Sequence, residues 1–259
     1  MKRNVSAALA FTAVVGCAAL AAASMAPGTG INGSWHDLNV LTGYRGDQVG
    51  RTCVFCHTPH NARKTDSLVP LWNHAETSLA VMTPYAWSAP TNRDIAIAKD
   101  PLIGPSRLCM ACHDGSTAVD SHGAALSNSP GTTVMTAAYT DGLNATAKRY
   151  ITDLTVTHPI GFLYDDAMQR RGTTELVDST HGFITAVIDP NTWNTQQRGS
   201  LTESSKKIKD TLYGGYLTCA SCHDVHNSVN TASTGKGTYN YFLYAPEEGS
   251  AICLSCHVK

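Results

Sequence analysis

Eight of the nine cysteines in this chain stand in one repeated pattern, and that pattern constrains the fold more than any other feature. They form four pairs with three-residue spacing, and a histidine directly follows each pair. On one helical turn, residues i, i+3 and i+4 share a face. Each motif therefore presents two thiols and one imidazole to the same side of a short helix. The four motifs, numbered 1 to 4 here, are Cys53-Val-Phe-Cys56-His57, Cys109-Met-Ala-Cys112-His113, Cys219-Ala-Ser-Cys222-His223 and Cys253-Leu-Ser-Cys256-His257.

The Cys-x-x-Cys-His pattern is typical of c-type haem attachment, in which the two thiols add to the haem vinyl groups and the histidine binds the iron. We therefore predict four covalently attached haem c groups, with the eight motif cysteines as attachment residues and the motif histidines as proximal iron ligands. Three other interpretations of the Cys-x-x-Cys-His pattern explain it less well. Four disulfides leave the adjacent histidines unexplained, zinc knuckles would not need four complete copies, and a thioredoxin-like redox pair needs a βαβ context that this sequence lacks.

The first residues have the pattern of an export signal. Lys2 and Arg3 precede an apolar stretch over about residues 5–20, and small residues continue to Ala26. This predicts a Sec signal peptide at residues 1–26. A lipoprotein signal is the alternative, because the residues before Cys17 resemble a lipobox. No later stretch has the roughly 20 apolar residues that a membrane helix needs, so we expect an exported protein without a transmembrane segment, in the periplasm or on the outer surface.

Charge and composition narrow the possible partners. The formal net charge is −1, and it becomes about −3 without the leader, so the basic surface of a nucleic-acid-binding protein is not expected. Hydrophobic residues make up 42% of the chain, a figure that the leader inflates. The rest is rich in Thr, Ser, Ala, Asn and Gly. Such a chain has difficulty building an ordinary core, and large apolar ligands would fill that role.

An internal repeat organises the four motifs. Residues 53–61 and 219–227 both read Cys-x-x-Cys-His-x-x-His-Asn, and each run is followed by a second, plainer motif. The chain is therefore interpreted as a duplicated two-haem unit. The predicted division is a first unit at residues 27–125 and a second unit at 126–259, which contains an inserted Thr/Ser-rich segment.

The repeat also selects candidates for the second iron ligand among the seven histidines outside the motifs. Two of them occupy the same place after motifs 1 and 3, and one more stands upstream of each unit. The nominated distal ligands are His36, His60, His158 and His226. His74 and His122 are reserves, and His181 is interpreted as structural; the pairing with individual haems stays open. Imidazoles on both faces close the iron to substrates and favour low-potential electron transfer over catalysis.

Several runs resemble a widespread family of paired-motif multihaem cytochromes. They are Cys-His-Thr-Pro-His-Asn-Ala at 56–62, Pro-Leu-Trp-Asn at 70–73, Arg-Leu-Cys-Met-Ala-Cys-His-Asp-Gly-Ser at 107–116 and His-Pro-Ile-Gly-Phe at 158–162. Their order is most similar to the OmcE-like tetrahaem cytochromes of metal-reducing bacteria. The resemblance implies bis-histidine haems that stack continuously through extracellular filaments, with a histidine of one subunit able to ligate a haem of its neighbour. His36 is the expected inter-subunit ligand.

The resemblance also implies partners: copies of the same chain, other multihaem cytochromes, and extracellular acceptors such as metal oxides. We expect a multihaem cytochrome c fold, a mostly irregular chain with short helical turns at the motifs and a few short strands, wrapped around a row of four haems. Strands are expected within 131–157 and 173–188. The many Thr and Ser residues of the insertion at 115–217 are expected to form a solvated surface, with a subunit contact or glycosylation sites as the alternatives. The leading function is an electron-conducting filament; a monomeric periplasmic shuttle and a haem reductase are the alternatives.

Overall fold

A computed structural model describes residues 31–32, 36–39, 46–47, 49–60, 62, 71–83, 95, 100–119, 150–187, 201–226 and 242–258. All four motifs and the four nominated distal histidines lie within these ranges. The expected signal peptide at 1–26, with Cys17, and the reserve ligand His122 lie outside them. The parts of the expected solvated segment at 120–149 and 188–200 also lie outside.

Helices and strands are short, and most of the described chain is irregular. The α-helices are α1 (Pro105–His113), α2 (Tyr164–Arg171) and α3 (Ala251–Cys256). The strands are β1 (Phe162–Leu163), β2 (Gly182–Val187), β3 (Leu201–Lys207) and β4 (Tyr216–Leu217). Turns of 3-10 helix occupy Thr52–Phe55, Leu79–Val81, Leu154–Val156, Ile208–Thr211, Cys219–Ser221 and Glu248–Ser250. No helix in the described ranges is long and apolar enough to span a membrane.

Each motif lies on a helical turn, as its spacing predicts. Motifs 2 and 4 lie on α1 and α3, whereas motifs 1 and 3 lie on 3-10 turns. In motifs 1, 3 and 4 the histidine N–H donates to the carbonyl of the first cysteine, at 2.8, 3.1 and 2.8 Å. Helix α1 begins at Pro105, whose fixed φ suits a first helical position, directly after Gly104 with φ of 54°. The turns therefore bring the thiols and the imidazole of each motif together locally.

The strands form two small antiparallel pairs. Strand β1 pairs with β4, so that Phe162 faces Leu217. Strand β2 pairs with β3 from Gly182 opposite Lys207 to Val187 opposite Leu201, with two irregularities in register. The strand expected within 173–188 is therefore present as β2. The described part of the other expected region, 150–157, instead contains a 3-10 turn, where the Asp153 carboxylate accepts a hydrogen bond from the Thr155 N–H at 2.9 Å.

The main hydrophobic core lies largely within the Thr/Ser-rich segment. Nine of the twelve buried residues in this cluster fall between 114 and 217: Leu154, Ile160, Phe162, Tyr164, Ala167, Leu176, Val177, Ile208 and Leu217. The Tyr164 hydroxyl is satisfied within the core by donating to the Val177 carbonyl at 2.9 Å. Most of the Thr and Ser side chains described within 150–187 and 201–217 are exposed, as expected, while the isolated apolar residues among them converge on one core.

Candidate haem-binding sites

The chain after motif 1 and the chain after motif 3 adopt the same backbone arrangement. After motif 1, the Thr58 N–H donates to the Leu71 carbonyl at 2.9 Å, and the Asn73 N–H donates to the Cys56 carbonyl at 2.8 Å. After motif 3, the Asp224 N–H donates to the Phe242 carbonyl at 2.8 Å, and the Tyr244 N–H donates to the Cys222 carbonyl at 3.0 Å. Each pair of hydrogen bonds fastens a returning segment against the motif histidine.

The returning segments match in an unusual backbone detail as well. Leu71 has φ of 54° and Phe242 has φ of 61°. This left-handed conformation is uncommon for residues other than glycine. Its occurrence at the same place in both segments makes Leu71 and Phe242 structural counterparts. The sequence repeat is thus accompanied by a repeat in backbone structure, which places equivalent side chains in equivalent positions relative to motifs 1 and 3.

Three ring contacts each join one motif histidine to one nominated distal histidine. The ring centroids are separated by 6.1 Å, 6.3 Å and 6.3 Å for the pairs His36–His113, His57–His226 and His158–His257. The first and third pairs are equivalent under the repeat, since each joins the upstream histidine to the second motif of the same unit. Their interplanar angles also agree, at 65° and 72°. The second pair joins the two units.

These separations fit a metal held between two imidazoles. A metal–imidazole bond is about 2.0–2.1 Å and the ring centroid lies about 1.2 Å further out, so two axial rings have centroids about 6.4 Å apart. The observed 6.1–6.3 Å separations match that span. The residues present therefore fit a haem iron at motifs 1, 2 and 4, with His226, His36 and His158 as the second ligands.

The surroundings of two of these histidines direct the correct nitrogen toward a metal. The Nδ1 atom of His158 lies 2.9 Å from the Pro159 carbonyl oxygen, to which it would donate. The Nδ1 atom of His226 lies 3.7 Å from Asp224 Oδ1. Carbonyl and carboxylate partners of this kind fix the tautomer of metal-ligating histidines. Iron binding through Nε2 would be compatible with these Nδ1 contacts in both residues.

His36 lies within the chain's own motif 2 site. Its ring is 4.9 Å from the Phe242 ring as well as 6.1 Å from His113. Burial, followed by the neighbouring His113 and His223 imidazoles, lowers the pKa of His36 to about 3. The ring is therefore neutral, which is the form that binds iron. This intramolecular position disagrees with the expectation that His36 supplies the inter-subunit ligand.

The reserve histidine His74 is fully buried, but both of its ring nitrogens face carbonyl oxygens. Nδ1 lies 2.9 Å from the Ala75 oxygen and Nε2 lies 3.2 Å from the Val119 oxygen. Its Nε2 is also 3.8 Å from the Cys112 sulfur. With neither nitrogen directed at a motif histidine, His74 is placed to support the chain around motif 2 rather than to bind iron.

The two remaining described histidines differ from the paired ones. His181 Nδ1 lies 2.9 Å from Glu203 Oε1, and its Nε2 lies 3.6 Å from Asp178 Oδ2. That arrangement agrees with a structural role for His181. His60, the fourth nominated ligand, is exposed on the surface after motif 1. It is the counterpart of His226 under the repeat, although the structure places His226 beside His57 of the other unit.

Thiols of motifs that follow one another along the chain are neighbours in the structure. None of the eight forms a disulfide. Burial and then the neighbouring Cys56 thiol raise the pKa of Cys112, which links motifs 1 and 2. A hydrogen bond with Cys219, reinforced by burial, raises the pKa of Cys109 and links motifs 2 and 3. Burial and then the Cys256 thiol raise the pKa of Cys222 to about 12, which links motifs 3 and 4.

Asp114 holds the chain directly after motif 2. Its buried carboxylate accepts hydrogen bonds from the Thr77 hydroxyl at 2.6 Å, the Ser116 N–H at 2.8 Å and the Thr117 N–H at 2.7 Å. Burial alone would raise the pKa of Asp114, but these hydrogen bonds outweigh burial and lower it. The charged carboxylate therefore connects the 71–83 segment to the end of α1, a link that the sequence motifs did not reveal.

We expect Asp114→Ala to destabilise the haem-loaded protein by about 2–4 kcal/mol, because buried donors lose a charged acceptor. The shift in the denaturant midpoint measures this loss. Asp153→Ala is the matched control, since Asp153 also accepts from a nearby N–H and hydroxyl but does so in an exposed turn. Equal losses in the two variants would contradict a special role for the buried network.

Comparison with protein families matches residues 214–259 to the family described as Doubled CXXCH motif. No curated protein matches the chain. The matched segment contains motifs 3 and 4, and it supports assignment of the chain to multihaem c-type cytochromes that act in electron transfer. The motifs imply covalently bound haem c, whereas the total of four stays a prediction.

Proposed function

We propose that the chain is an exported tetrahaem c-type cytochrome that carries electrons as a subunit of an extracellular conductive filament. When bound, the haems supply reversible one-electron chemistry. The chain's residues hold the haems in a row, in the order of motifs 1 to 4 that the neighbouring thiols follow. Catalysis is not part of the proposal, because second histidines at motifs 1, 2 and 4 would leave no open position for a substrate there.

One observation carries the filament proposal: the contact of His226 with His57 joins two repeated units head to tail. The first unit takes the second ligand of its first haem from the following unit. The second unit has the same pattern, so its first haem, at motif 3, requires a second ligand from a third unit. A second copy of the chain supplies that unit through His60, the counterpart of His226. Such a heterologous contact continues into an open filament when it does not close into a ring.

The exposure of His60 supports this assignment. A ligand destined for a neighbouring copy must lie on the surface of the isolated chain. We therefore propose His60, and not His36, as the residue that ligates a haem of the next subunit, at motif 3. Metal oxides, other cytochromes and further copies of the chain remain the proposed electron partners.

The test is assembly of the His60→Leu variant, produced with its haems attached. We expect wild-type protein to form filaments in electron micrographs, and H60L to remain as single subunits that still carry four haems by mass. His181→Leu is the control, since His181 is also a partly exposed histidine but faces carboxylates. H181L should assemble as wild type does.

Two results would count against the proposal in different ways. Wild-type protein that stays monomeric at all concentrations would favour the periplasmic shuttle. H60L filaments of wild-type length would leave the filament in place but remove His60 as the bridging ligand. An open haem that binds carbon monoxide in the wild-type filament would reopen the case for a haem reductase.

A further inference from the structure

We infer that the contact between copies repeats the contact between the two units of one chain, with Leu71 of one copy covering His158 of the next as Phe242 covers His36. This inference rests on the proposed filament. It adds an apolar contact to the proposed histidine bridge. It also identifies which two surfaces of the chain meet.

The contact inside the chain serves as the template. Phe242 is 6% exposed, and its ring lies 4.9 Å from the His36 ring. His36 in turn lies against His113 of the first unit. Phe242 of the second unit thus covers part of the upstream histidine of the first unit, which is half-buried.

The counterparts of both residues are uncovered. Leu71 matches Phe242 in φ and in its hydrogen bond to the residue after the motif histidine, yet Leu71 is 52% exposed. His158 matches His36 in its pairing with the second motif of its own unit, yet His158 is exposed. The repeat therefore leaves one covering side chain and one uncovered histidine, on opposite units of the same molecule.

A second apolar side chain lies beside the uncovered histidine. Val156, two residues before His158, is 81% exposed, the highest value among the exposed large hydrophobic residues of the described chain. Exposed apolar groups of this kind mark interaction surfaces when they are brought together on a binding face. Leu71 of one copy, seated over His158 and Val156 of the next, would bury apolar side chains of both copies in one contact.

The two surfaces are different, so the contact has a direction. Leu71 and His60 belong to the first unit, and Val156 and His158 belong to the second. Each copy therefore presents its first unit to the second unit of the next copy. This is a heterologous interface rather than a two-fold symmetric one, and each end of an assembly keeps one unused surface to which a further copy can bind.

The experiment compares assembly of haem-loaded Leu71→Asp and Leu71→Phe. Aspartate tolerates the left-handed conformation better than leucine, so L71D should fold, and phenylalanine reproduces the counterpart residue. We expect L71D to raise the concentration needed for assembly by about ten-fold or more, as loss of a central apolar contact does at interfaces. L71F should assemble as wild type does, and Val81→Asp, a change at another exposed valine, should also leave assembly unchanged.

Mixing two variants tests the direction of the contact. Val156→Asp blocks the surface on the second unit, whereas L71D blocks the surface on the first. Each variant alone should sediment as a monomer at concentrations where wild type assembles. An equimolar mixture should give dimers and no filaments, since only one intact pair of surfaces remains.

Several outcomes would overturn the inference. L71D filaments at wild-type concentrations would remove Leu71 from the interface while leaving the proposed function intact. An equal loss in V81D would indicate a general effect of surface charge and not a contact at Leu71. Failure of the mixture to dimerise would exclude the head-to-tail arrangement of these two surfaces. A wild-type protein that never assembles would instead remove the proposed function on which the inference rests.

Discussion

Replacing His226 with leucine is expected to open one of the four proposed haem sites, at motif 1, and to convert about one quarter of the haem from low-spin to high-spin iron. The ring centroids of His226 and His57 are 6.3 Å apart, the separation expected for two imidazoles that bind one iron. Leucine has no atom that could bind the iron in place of the imidazole. The haem would remain covalently attached through Cys53 and Cys56. Absorption and electron paramagnetic resonance spectra report the spin state, and carbon monoxide binding of about one equivalent per chain reports the open position.

His181→Leu and His74→Gln provide the controls for this prediction. His181 faces carboxylates, and both nitrogens of His74 lie near carbonyl oxygens, so neither change should create a high-spin haem. A low-spin spectrum for H226L would contradict the assignment of His226. High-spin iron in H74Q would instead return His74 to the set of ligands.

Gly161→Ala is expected to destabilise the protein by about 3–5 kcal/mol, a large part of the roughly 5–15 kcal/mol that stabilises a typical protein. Gly161 has φ of 77°, and a Cβ atom there would lie 2.5 Å from the Pro101 Cα atom and 2.8 Å from its carbonyl oxygen. Its N–H donates to the Leu217 carbonyl at 2.8 Å. The substitution therefore pushes the His158 segment away from Pro101 and strains its hydrogen bond to the chain that leads into motif 3. Denaturant unfolding of the haem-loaded protein measures the effect.

Gly214→Ala separates backbone strain from steric conflict. Gly214 also has a positive φ, 56°, but a Cβ atom at this position would have no neighbour within 4 Å. Left-handed backbone alone costs about 1–2 kcal/mol for alanine, so the expected loss for G214A is small. Equal destabilisation by the two variants would show that close packing against Pro101 is not the cause.

The internal repeat predicts which histidines are candidates for distal iron ligands, but it does not predict which haem each of them serves. Spacing alone nominated His36, His158 and His226, and the structure places each of them beside a motif histidine. The sequence repeat did not predict which motif histidine each of them faces, because that depends on how the two units pack against each other. His36 was expected to reach a neighbouring subunit on account of its place before motif 1. The chain instead folds it back under Phe242, a residue about 200 positions later.

The core of residues 150–217 was harder to predict. Leu154, Ile160, Phe162 and Leu176 are unevenly spaced along the chain, so no one helical or strand pattern predicts the burial of all four. They meet because turns and short strands of irregular length bring them together. The Thr and Ser residues among them mostly face solvent, but that expectation did not reveal the core beneath. The overall composition of the segment does not reveal the few apolar residues that form the core.

The contact between α1 and motif 3 bears on how the two units depend on each other. Cys109 on α1 neighbours Cys219, and the Cys219 N–H donates to Ser106 Oγ at 3.1 Å. The two cysteines are 110 residues apart in the chain, yet they lie at one junction between the units. A group attached at either motif would therefore border both units, so that loading of motif 2 and folding of the second unit would be coupled.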